Sequence, residues 1–270
     1  MMSFELLELT VEDGIATVVL NRPEQANALS HKMWDEIRQC FILLDSQSDV
    51  RVIVLKGSGN NFCAGMDLSV FQQIMESLPQ ENGRRGEQMR QLILALQDCF
   101  VAIDRCRKPV IAAVQGACVG AGLEMVAACD IRLAVSSAKF SIKEIDLGMT
   151  ADVGSLQRLP YIIGGGLLRE LAYTGRELSG TEAERAQLVN HCFDSVDAMY
   201  SHAAEMAVTI AQKSPLAIRG SKEMLNYSRD HSLADSLNYI ATWNAGMLSQ
   251  EDLMGSVMAQ MKGEKPEYQD

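Results

Sequence analysis

Residues 108–160 read KPVIAAVQGACVGAGLEMVAACDIRLAVSSAKFSIKEIDLGMTADVGSLQRLP, and this stretch decides both the fold and the candidate chemistry. Val110–Val114 is a short apolar run after a proline, which predicts a buried strand. Gly116, Gly120 and Gly122 follow, and residues 123–128 then predict a helix rich in Ala and Met. A strand that leads through glycines into a helix leaves the first N–H groups of the helix unpaired. Such groups can bind an anion, or a carbonyl oxygen that becomes negative during a reaction.

Three carboxylates accompany this candidate anion site. Glu124 lies one turn into the predicted helix, and Glu144 and Asp152 follow among residues that we expect to be buried. Singly, such acids are commonly explained by the helix macrodipole or by solvation in a loop. Together, near an anion site, they are the groups that proton-transfer chemistry requires. The glycines do not form a G-x-G-x-x-G pattern, so no dinucleotide site is predicted.

The amino-acid composition excludes several classes of protein for this chain. The chain has 270 residues, 47% of them hydrophobic and 22% charged, which fits one large domain or one domain with an appendage. Its net charge of −11 argues against nucleic acid or an anionic membrane as a partner. The seven cysteines are odd in number, lack C-x-x-C spacing and lie mostly in apolar surroundings. They predict reduced core residues of a cytoplasmic protein, with neither disulfides nor a metal site.

The two ends support the same expectation of a cytoplasmic location. MMSFELLEL is not a signal peptide, and the terminal PEYQD carries no peroxisomal address. We also find no apolar run long enough to span a bilayer.

Strand and helix patterns alternate in the first half of the chain. Residues 4–11 and 15–20 predict a hairpin, and Ser30 predicts the N-cap of the first helix. A buried strand over 50–55 completes a pattern typical of an α/β core. Residues 72–88 are polar and contain glycine, which predicts a mobile segment near the mouth of the substrate site. A helix is then predicted over 91–103.

The second half is predicted to be mainly helical, over 167–174, from Thr181, from Pro215 and over 231–262. Thr181 and Glu184 have the spacing of a capping box, and Pro suits the first position of a helix. An apolar stripe runs along the last segment, through Leu233, Leu237, Ile240, Trp243 and Met247. The Met-rich tail that follows, from Met247 to Met261, is too apolar for an exposed helix, so it needs a partner surface.

The order of these features resembles the enoyl-CoA hydratase/isomerase (crotonase) family. The resemblance covers nearly the whole chain and is more specific for the superfamily than for the reaction. The matching segments are Asn21-Arg22-Pro23, Ala26-Asn27-Ala28-Leu29, Phe62-Cys63-Ala64-Gly65-Met66-Asp67-Leu68, Lys108-Pro109-Val110-Ile111-Ala112-Ala113-Val114, Gly120-Ala121-Gly122-Leu123-Glu124, Cys129-Asp130-Ile131-Arg132 and Gln157-Arg158-Leu159-Pro160.

The resemblance implies an α/β crotonase (ClpP/crotonase-like) fold, in which repeated ββα units form two roughly perpendicular sheets. A core domain over 1–195 would precede a helical C-terminal region over 196–270 that serves trimerisation and covers the pocket. The Met-rich tail would then pack either on its own core or as a helical arm within a homotrimer. Two trimers can pair into a hexamer.

The resemblance also implies a site for an acyl-CoA thioester. The backbone N–H groups of Met66 and Ala121 would form an oxyanion hole for the thioester oxygen. Many relatives have glycine at the second position, but alanine keeps the donor if its φ is negative. The CoA moiety is part of the substrate, so neither a further cofactor nor a metal is expected. The residues implied in binding substrate and CoA are Ala26, Ala64, Asp67, Leu68 and Gly120.

The acids distinguish two reactions. Glu124 and Glu144 occupy the positions of the glutamate pair in the hydratases of this family. Asp152 departs from the hydratase pattern, which has glycine there, and matches the dienoyl-CoA isomerase branch. In that branch the position of Glu124 is usually Asp.

The resemblance therefore implies conversion of 3,5-dienoyl-CoA to 2,4-dienoyl-CoA, a step in the β-oxidation of unsaturated fatty acids. In this hypothesis Asp152 removes the C2 proton, Glu144 delivers a proton to C6, and Glu124 orients or tunes Glu144. Repulsion between like charges should raise one of the pKa values, so that one acid starts protonated.

Two alternatives stay open. The first is an enoyl-CoA hydratase that uses Glu124 and Glu144 around a water molecule. The second is a non-catalytic relative that binds acyl-CoA, although such a protein should have lost its acids. Asp130, expected to cap a helix or to pair with Arg132, and Asp146 are interpreted as structural.

Overall fold

The computed structural model describes residues 4–269, which form two sheets surrounded by helices. The strands are β1 Leu7–Glu12, β2 Ile15–Leu20, β3 Val52–Gly57, β4 Val110–Val114, β5 Ala117–Val119, β6 Ile131–Val135, β7 Lys139–Ser141, β8 Leu178–Ser179 and β9 His191–Phe193. The α-helices are α1 His31–Ser46, α2 Leu68–Ser77, α3 Asn82–Arg105, α4 Ala121–Ala127, α5 Ser155–Arg158, α6 Gly165–Thr174, α7 Gly180–Arg185, α8 Val196–Ala211, α9 Pro215–Tyr227, α10 Leu233–Met247 and α11 Gln250–Lys262. Short 3-10 turns lie at Pro23–Gln25, Lys143–Leu147 and Leu159–Tyr161.

The large sheet has the order β1-β2-β3-β4-β6-β9, and the small sheet has the order β5-β7-β8. β1 and β2 form the predicted antiparallel hairpin, whereas β2, β3, β4, β6 and β9 are joined by parallel pairings. From β4 to β7 the chain alternates between the sheets: β4 and β6 lie in the large one, and β5 and β7 in the small one. The predicted α/β class with two sheets and a helical C-terminal region is confirmed.

β4 has the bounds that the sequence predicted, and all five of its residues are buried. Parallel strands covered on both faces read as continuous apolar runs, which explains the sequence of β4. The chain turns directly after this strand at Gly116, whose φ is +57°. A Cβ there would lie 2.1 Å from the carbonyl oxygen of Asn60, so only glycine allows the two segments to approach so closely.

The predicted N-cap of α1 is confirmed. The side chain of Ser30 accepts a hydrogen bond from the N–H of Met33, 3.3 Å away. Trp34 of α1 is 2% exposed, and its ring centroid lies 4.7 Å from that of Phe100 on α3. Helices α1 and α3 therefore form one layer whose inner face carries aromatic side chains.

Most of the segment over 72–88, which the sequence predicts to be mobile, is helical. α2 extends to Ser77, and α3 begins at Asn82, nine residues before the predicted start of a helix. The carboxylate of Glu81 accepts hydrogen bonds from the N–H groups of Gly83 and Arg84, both at 2.8 Å. This N-cap stabilises a first turn that is otherwise poor in apolar residues.

Two details of the C-terminal half also differ from prediction. The capping box of α7 joins Ser179 and Glu182, two residues earlier than predicted. Glu184 instead accepts a hydrogen bond from the N–H of Cys192 at 2.8 Å. The long helix predicted over 231–262 is two helices, because α11 has its own N-cap at Ser249.

The C-terminal helices differ in how they pack. α8 buries Met199, Ala203 and Ala207 in the core cluster, so it packs on the large sheet. α10 buries none of its residues, and Leu233 is 75% exposed. The apolar stripe predicted along this segment therefore does not pack into the core of its own chain. None of the helices in the described part combines the length and hydrophobicity needed to cross a bilayer.

Candidate active site

The segment from Cys63 to Met66 runs alongside the end of β5. The N–H of Cys63 donates to the carbonyl of Ala117 at 2.9 Å, and the N–H of Val119 donates to the carbonyl of Cys63 at 3.0 Å. Gly65 has a φ of +94°, and a Cβ there would lie 2.9 Å from the carbonyl oxygen of Val119 and 3.7 Å from the amide nitrogen of Ala121. Glycine at 65 thus brings the backbone that carries Met66 against the start of α4.

The amides of Met66 and Ala121 are the two predicted oxyanion donors. Among the described residues, no hydrogen bond is formed by either N–H group, whereas the adjacent N–H of Gly120 donates to Ser141 and that of Asp67 to Leu29. Ala121 is the first residue of α4 and does not have a positive φ. The alanine therefore keeps the donor available, and both N–H groups are without another partner among the described residues, as the predicted oxyanion hole requires.

Glu144 lies beside this pair of amides. Its Oε1 lies 3.0 Å from the position that a Cβ on Gly120 would occupy. Its Oε2 is buried, without a hydrogen-bond partner among the described residues. Burial, and secondly the negative charge of Asp152, raises the pKa of the Glu144 carboxyl.

Glu124, the second acid, is 1% exposed. Its Oε1 accepts hydrogen bonds from the N–H of Val153 at 3.2 Å and from the N–H and Oγ of Ser155 at 3.4 and 3.2 Å. Its Oε2 has no partner among the described residues. Burial first, and then the charge of Glu144, raises the pKa of Glu124 to about 8.

Asp152 lies next to the loop that Glu124 holds. Its side chain is half-buried, and burial raises the pKa of its carboxyl. Because the charge of Asp152 acts on Glu144 and that of Glu144 acts on Glu124, the structure brings all three predicted acids together. Acids with raised pKa values beside an oxyanion site can exchange protons near neutral pH.

Replacing Gly120 with Ala should lower activity through Glu144. Gly120 has φ 53° and ψ −122°, which an L-residue adopts only at a cost of about 1–3 kcal/mol, and the new Cβ would contact the Glu144 carboxylate. Thermal unfolding and steady-state rates of G120A would measure both effects. G263A is the matched control, because Gly263 also has a positive φ (+71°) but a Cβ there meets nothing within 4 Å. Equal rates for the two variants would contradict the contact with Glu144.

Because the pKa of Glu124 is raised, the stability of the protein should depend on pH. In the folded protein Glu124 keeps its proton up to about pH 8, whereas the unfolded chain loses it near 4.5. The folded state therefore binds more protons in this window, so the contribution of Glu124 to stability is full below pH 4.5 and is lost as the pH rises toward 8. Compared with E124Q, the free energy of unfolding of the parent should fall by up to about 1.4 kcal/mol per pH unit. Urea unfolding of both proteins at pH 5, 7 and 8.5 measures this, and a difference independent of pH would refute it.

Most of the residues predicted to bind substrate and CoA lie just before α2 or at its first residue, and the others lie in segments that pack against this part of the chain. The carbonyl of Ala26, a residue in the left-handed region, accepts a hydrogen bond from the N–H of Ala64 at 3.0 Å. Ala64 is exposed and Leu68 is 70% exposed, so both are accessible to a ligand. The Asp67 carboxylate caps α2 through Ser69 and pairs with Arg22 at 3.1 Å, so it holds the chain after Met66 in place.

Several functional contacts were missed by sequence reasoning. Ser155 binds Glu124, Arg22 binds Asp67, and Gln97 of α3 donates to the carbonyl of Asp152 at 2.6 Å. Arg22 was part of the quoted Asn-Arg-Pro segment, and Ser155 follows a glycine in the quoted stretch. Nothing near Gln97 in the sequence points to Asp152, which lies 55 residues away.

Asp130 has a structural role, as interpreted from the sequence, but its hydrogen-bond partners differ from the predicted ones. Its carboxylate accepts a hydrogen bond from the N–H of Val110 and pairs with Lys222, both at 2.7 Å, and Arg132 instead donates to the carbonyls of Leu188 and Cys129. Asp146 pairs with Lys143 at 2.8 Å, as expected of a structural acid. Within residues 4–269, no group of three or more His, Cys, Asp or Glu side chains is arranged to hold a metal ion.

Comparison with known proteins gives matches along almost the whole chain. Residues 10–270 match the family described as enoyl-CoA hydratase/isomerase. The chain is 42% identical to the mitochondrial Delta(3,5)-Delta(2,4)-dienoyl-CoA isomerase of Mus musculus, over 96% of this chain and 80% of that protein. It is also 42% identical to the peroxisomal Delta(3,5)-Delta(2,4)-dienoyl-CoA isomerase of Arabidopsis thaliana, over 98% of this chain and 96% of that protein.

Solved structures give the same fold. An enoyl-CoA hydratase from Bacillus anthracis superposes with a TM-score of 0.89 at 29% identity, over 98% of this chain and 99% of the other. An enoyl-CoA hydratase from Mycobacterium smegmatis gives 0.87 at 28% identity, over 97% and 98%. The predicted crotonase fold is confirmed.

The predicted cytoplasmic location is contradicted by the same comparison. The relatives from Mus musculus and Arabidopsis thaliana are named as mitochondrial and peroxisomal proteins, which points to organelles. Reduced, buried cysteines distinguish reducing from oxidising compartments and do not distinguish the cytoplasm from such organelles.

Proposed function

The chain belongs to the enoyl-CoA hydratase/isomerase family, and from this membership we propose that it converts 3,5-dienoyl-CoA to 2,4-dienoyl-CoA. The observation that carries the proposal is Asp152, which lies close enough to Glu144 for its charge to raise the pKa of that acid. Glu144 lies against Gly120, next to Ala121, and neither the Met66 nor the Ala121 N–H has a hydrogen-bond partner among the described residues. Two relatives that are each 42% identical are named as isomerases of this kind.

The reaction follows from the arrangement. The carboxylate of Asp152 takes a proton from C2, and the electron pair of that C–H bond forms the C1–C2 double bond of a dienolate. The negative charge moves to the thioester oxygen, where the N–H groups of Met66 and Ala121 stabilise it, at about 2.7–4 kcal/mol for each donor. Glu144 then gives its proton to C6, the double bonds shift to C2–C3 and C4–C5, and the carbonyl forms again.

The environment of each acid suits its step. A proton donor must start protonated, and burial and the charge of Asp152 both favour the neutral form of Glu144. Glu124 binds the backbone of residues 153 and 155 and keeps its own proton near neutral pH. We therefore assign Glu124 the role of holding the loop next to Asp152 and of limiting the charge around Glu144.

The hydratase alternative requires Glu124 and Glu144 to activate one water molecule together. Glu124 offers such a water only Oε2, because Oε1 already accepts three hydrogen bonds, and the two relatives that are 42% identical are named as isomerases. The non-catalytic alternative is disfavoured because all three acids are present and lie together.

An assay of the reaction separates the three functions. Isomerisation of a 3,5-dienoyl-CoA should raise the ultraviolet absorbance of a conjugated 2,4-dienoyl thioester without incorporating oxygen from H₂¹⁸O. Hydration of an enoyl-CoA would bleach the enoyl band and incorporate ¹⁸O. Binding of CoA thioesters without turnover of either substrate would establish the non-catalytic alternative.

We propose further that the protein assembles as a homotrimer or a pair of trimers. The support is the apolar face of α10 and α11, where Leu237, Met247 and Met258 are 59%, 51% and 56% exposed. Large exposed apolar faces of this kind usually cover a partner surface. Sedimentation equilibrium should give a mass of three or six chains, and L237E should shift it toward the monomer. A monomeric parent would contradict the proposal.

A further inference from the structure

Asp152 has to be held in place by its backbone. No side chain of another described residue forms a hydrogen bond with the Asp152 carboxylate, whose hydrogen bond comes from its own backbone N–H, so its position depends on the main chain. A base that removes a proton must lie within about 3–3.5 Å of its target, and a displacement of about 1 Å can cost 10²-fold in rate. The contacts of the main chain around Asp152 therefore bear on the proposed reaction.

The peptide group between Asp152 and Val153 is held at both ends. Its carbonyl oxygen accepts a hydrogen bond from Nε2 of Gln97, 2.6 Å away, and its N–H donates to Oε1 of Glu124, 3.2 Å away. The two side chains come from different helices, α3 and α4. Because the peptide group is planar, two hydrogen bonds on opposite sides of it fix its rotation and so the direction in which Asp152 projects.

The hydrogen bond from Gln97 is the only one from a described residue to the carbonyl of Asp152. Helix α3 holds Gln97 in place, because Cys99, Phe100 and Ile103 of that helix are buried in the core. Gln97 itself is half-buried, which strengthens a hydrogen bond relative to one in open solvent.

A second contact with α3 holds the same loop. Nη1 of Arg158 lies 3.4 Å from the carbonyl oxygen of Val153, and Arg158 pairs with Asp104 of α3 at 3.6 Å. A Cβ on Gly154 would lie 1.8 Å from Nη1, so the guanidinium occupies the space that glycine leaves open. These contacts attach the loop after Asp152 to α3.

We propose that Gln97 is a positioning residue, which directs Asp152 at the C2 proton by holding the carbonyl of the Asp152–Val153 peptide group. This inference rests on the proposed isomerase function. Gln97 touches neither the substrate nor the reacting atoms in this account, and it acts only through Asp152.

The test compares Q97M, which keeps the length of the side chain and removes the donor, with Q91M as the matched control. Gln91 is an exposed residue of the same helix. We expect kcat for dienoyl-CoA isomerisation to fall about 10- to 100-fold in Q97M with KM little changed. Q91M should keep the rate of the parent.

Two further readouts separate a misplaced base from a general loss of structure. With substrate deuterated at C2, the isotope effect on kcat should rise in Q97M, because proton removal becomes more rate-limiting. A variant that merely contained less folded enzyme would show the isotope effect of the parent. In addition, Q97M should cause no further loss when it is combined with D152N, since Gln97 acts through Asp152.

If Q97M does not fold, the rates of Q97K and Q97E are compared instead. Lys keeps a donor of comparable reach and should retain more activity than Glu, which has the shape of Gln but presents only acceptors to the carbonyl. Q97M as active as Q91M, or Q97E as active as Q97K, would overturn the role of Gln97. A parent protein that does not isomerise dienoyl-CoA would overturn the proposed function, and the two failures are therefore distinct.

Discussion

D152N is expected to lower kcat for the isomerisation of 3,5-dienoyl-CoA by about 10²–10⁴-fold, the usual contribution of a general base. Asn is close in shape to Asp but cannot accept the C2 proton. The hydrogen bonds around residue 152 involve its main chain, which the substitution leaves intact. Steady-state rates, followed by ultraviolet absorbance, measure the effect. Any hydration of enoyl-CoA should survive in D152N, because water activation would use Glu124 and Glu144.

D146N is the control for this substitution. Asp146 is an exposed acid that pairs with Lys143, so the same chemical change should leave the rate near that of the parent. Thermal unfolding of both variants checks that the fold is kept. If D152N isomerised as fast as D146N, a base other than Asp152 would have to remove the C2 proton.

E144Q is expected to stop product formation to a similar extent while the first half of the reaction continues. Asp152 can still remove the C2 proton, but the dienolate receives no proton at C6 and takes one back at C2. In D₂O the recovered substrate should therefore carry deuterium at C2, detected by NMR. D152N should show neither product nor exchange above the rate without enzyme.

The control here is E170Q, because Glu170 is an exposed acid on α6 that pairs with Arg176. It should form product at the rate of the parent. Loss of C2 exchange in E144Q, together with retention of exchange in D152N, would reverse the assignment of the two acids.

Local signals in the sequence predicted much of the fold and the placement of the site. The apolar run of β4, the Ser30 cap of α1 and the glycines before α4 each depend on a few neighbouring residues, and the structure has them as predicted. The three acids could be proposed because they lie within one stretch around the glycine turn. Their catalytic roles stay predictions until the variants are measured.

The missed contacts share a physical cause, since they depend on partners far along the chain. Asp130 pairs with Lys222, 92 residues away, and Gln97 holds Asp152 from another helix. Pairing across such distances is decided by the fold, so no local pattern reveals it. The early start of α3 has a different, local cause, which is the Glu81 cap that outweighs a polar first turn containing glycine.

A crystal structure of D152N with bound 2,4-dienoyl-CoA is the most direct measurement of the central claim. We predict that the thioester oxygen lies about 2.7–3.1 Å from the amide nitrogens of both Met66 and Ala121. C2 should then face residue 152, and C6 should face the Glu144 carboxyl. A thioester oxygen bound elsewhere, or residues 152 and 144 both at the same end of the diene, would contradict the account.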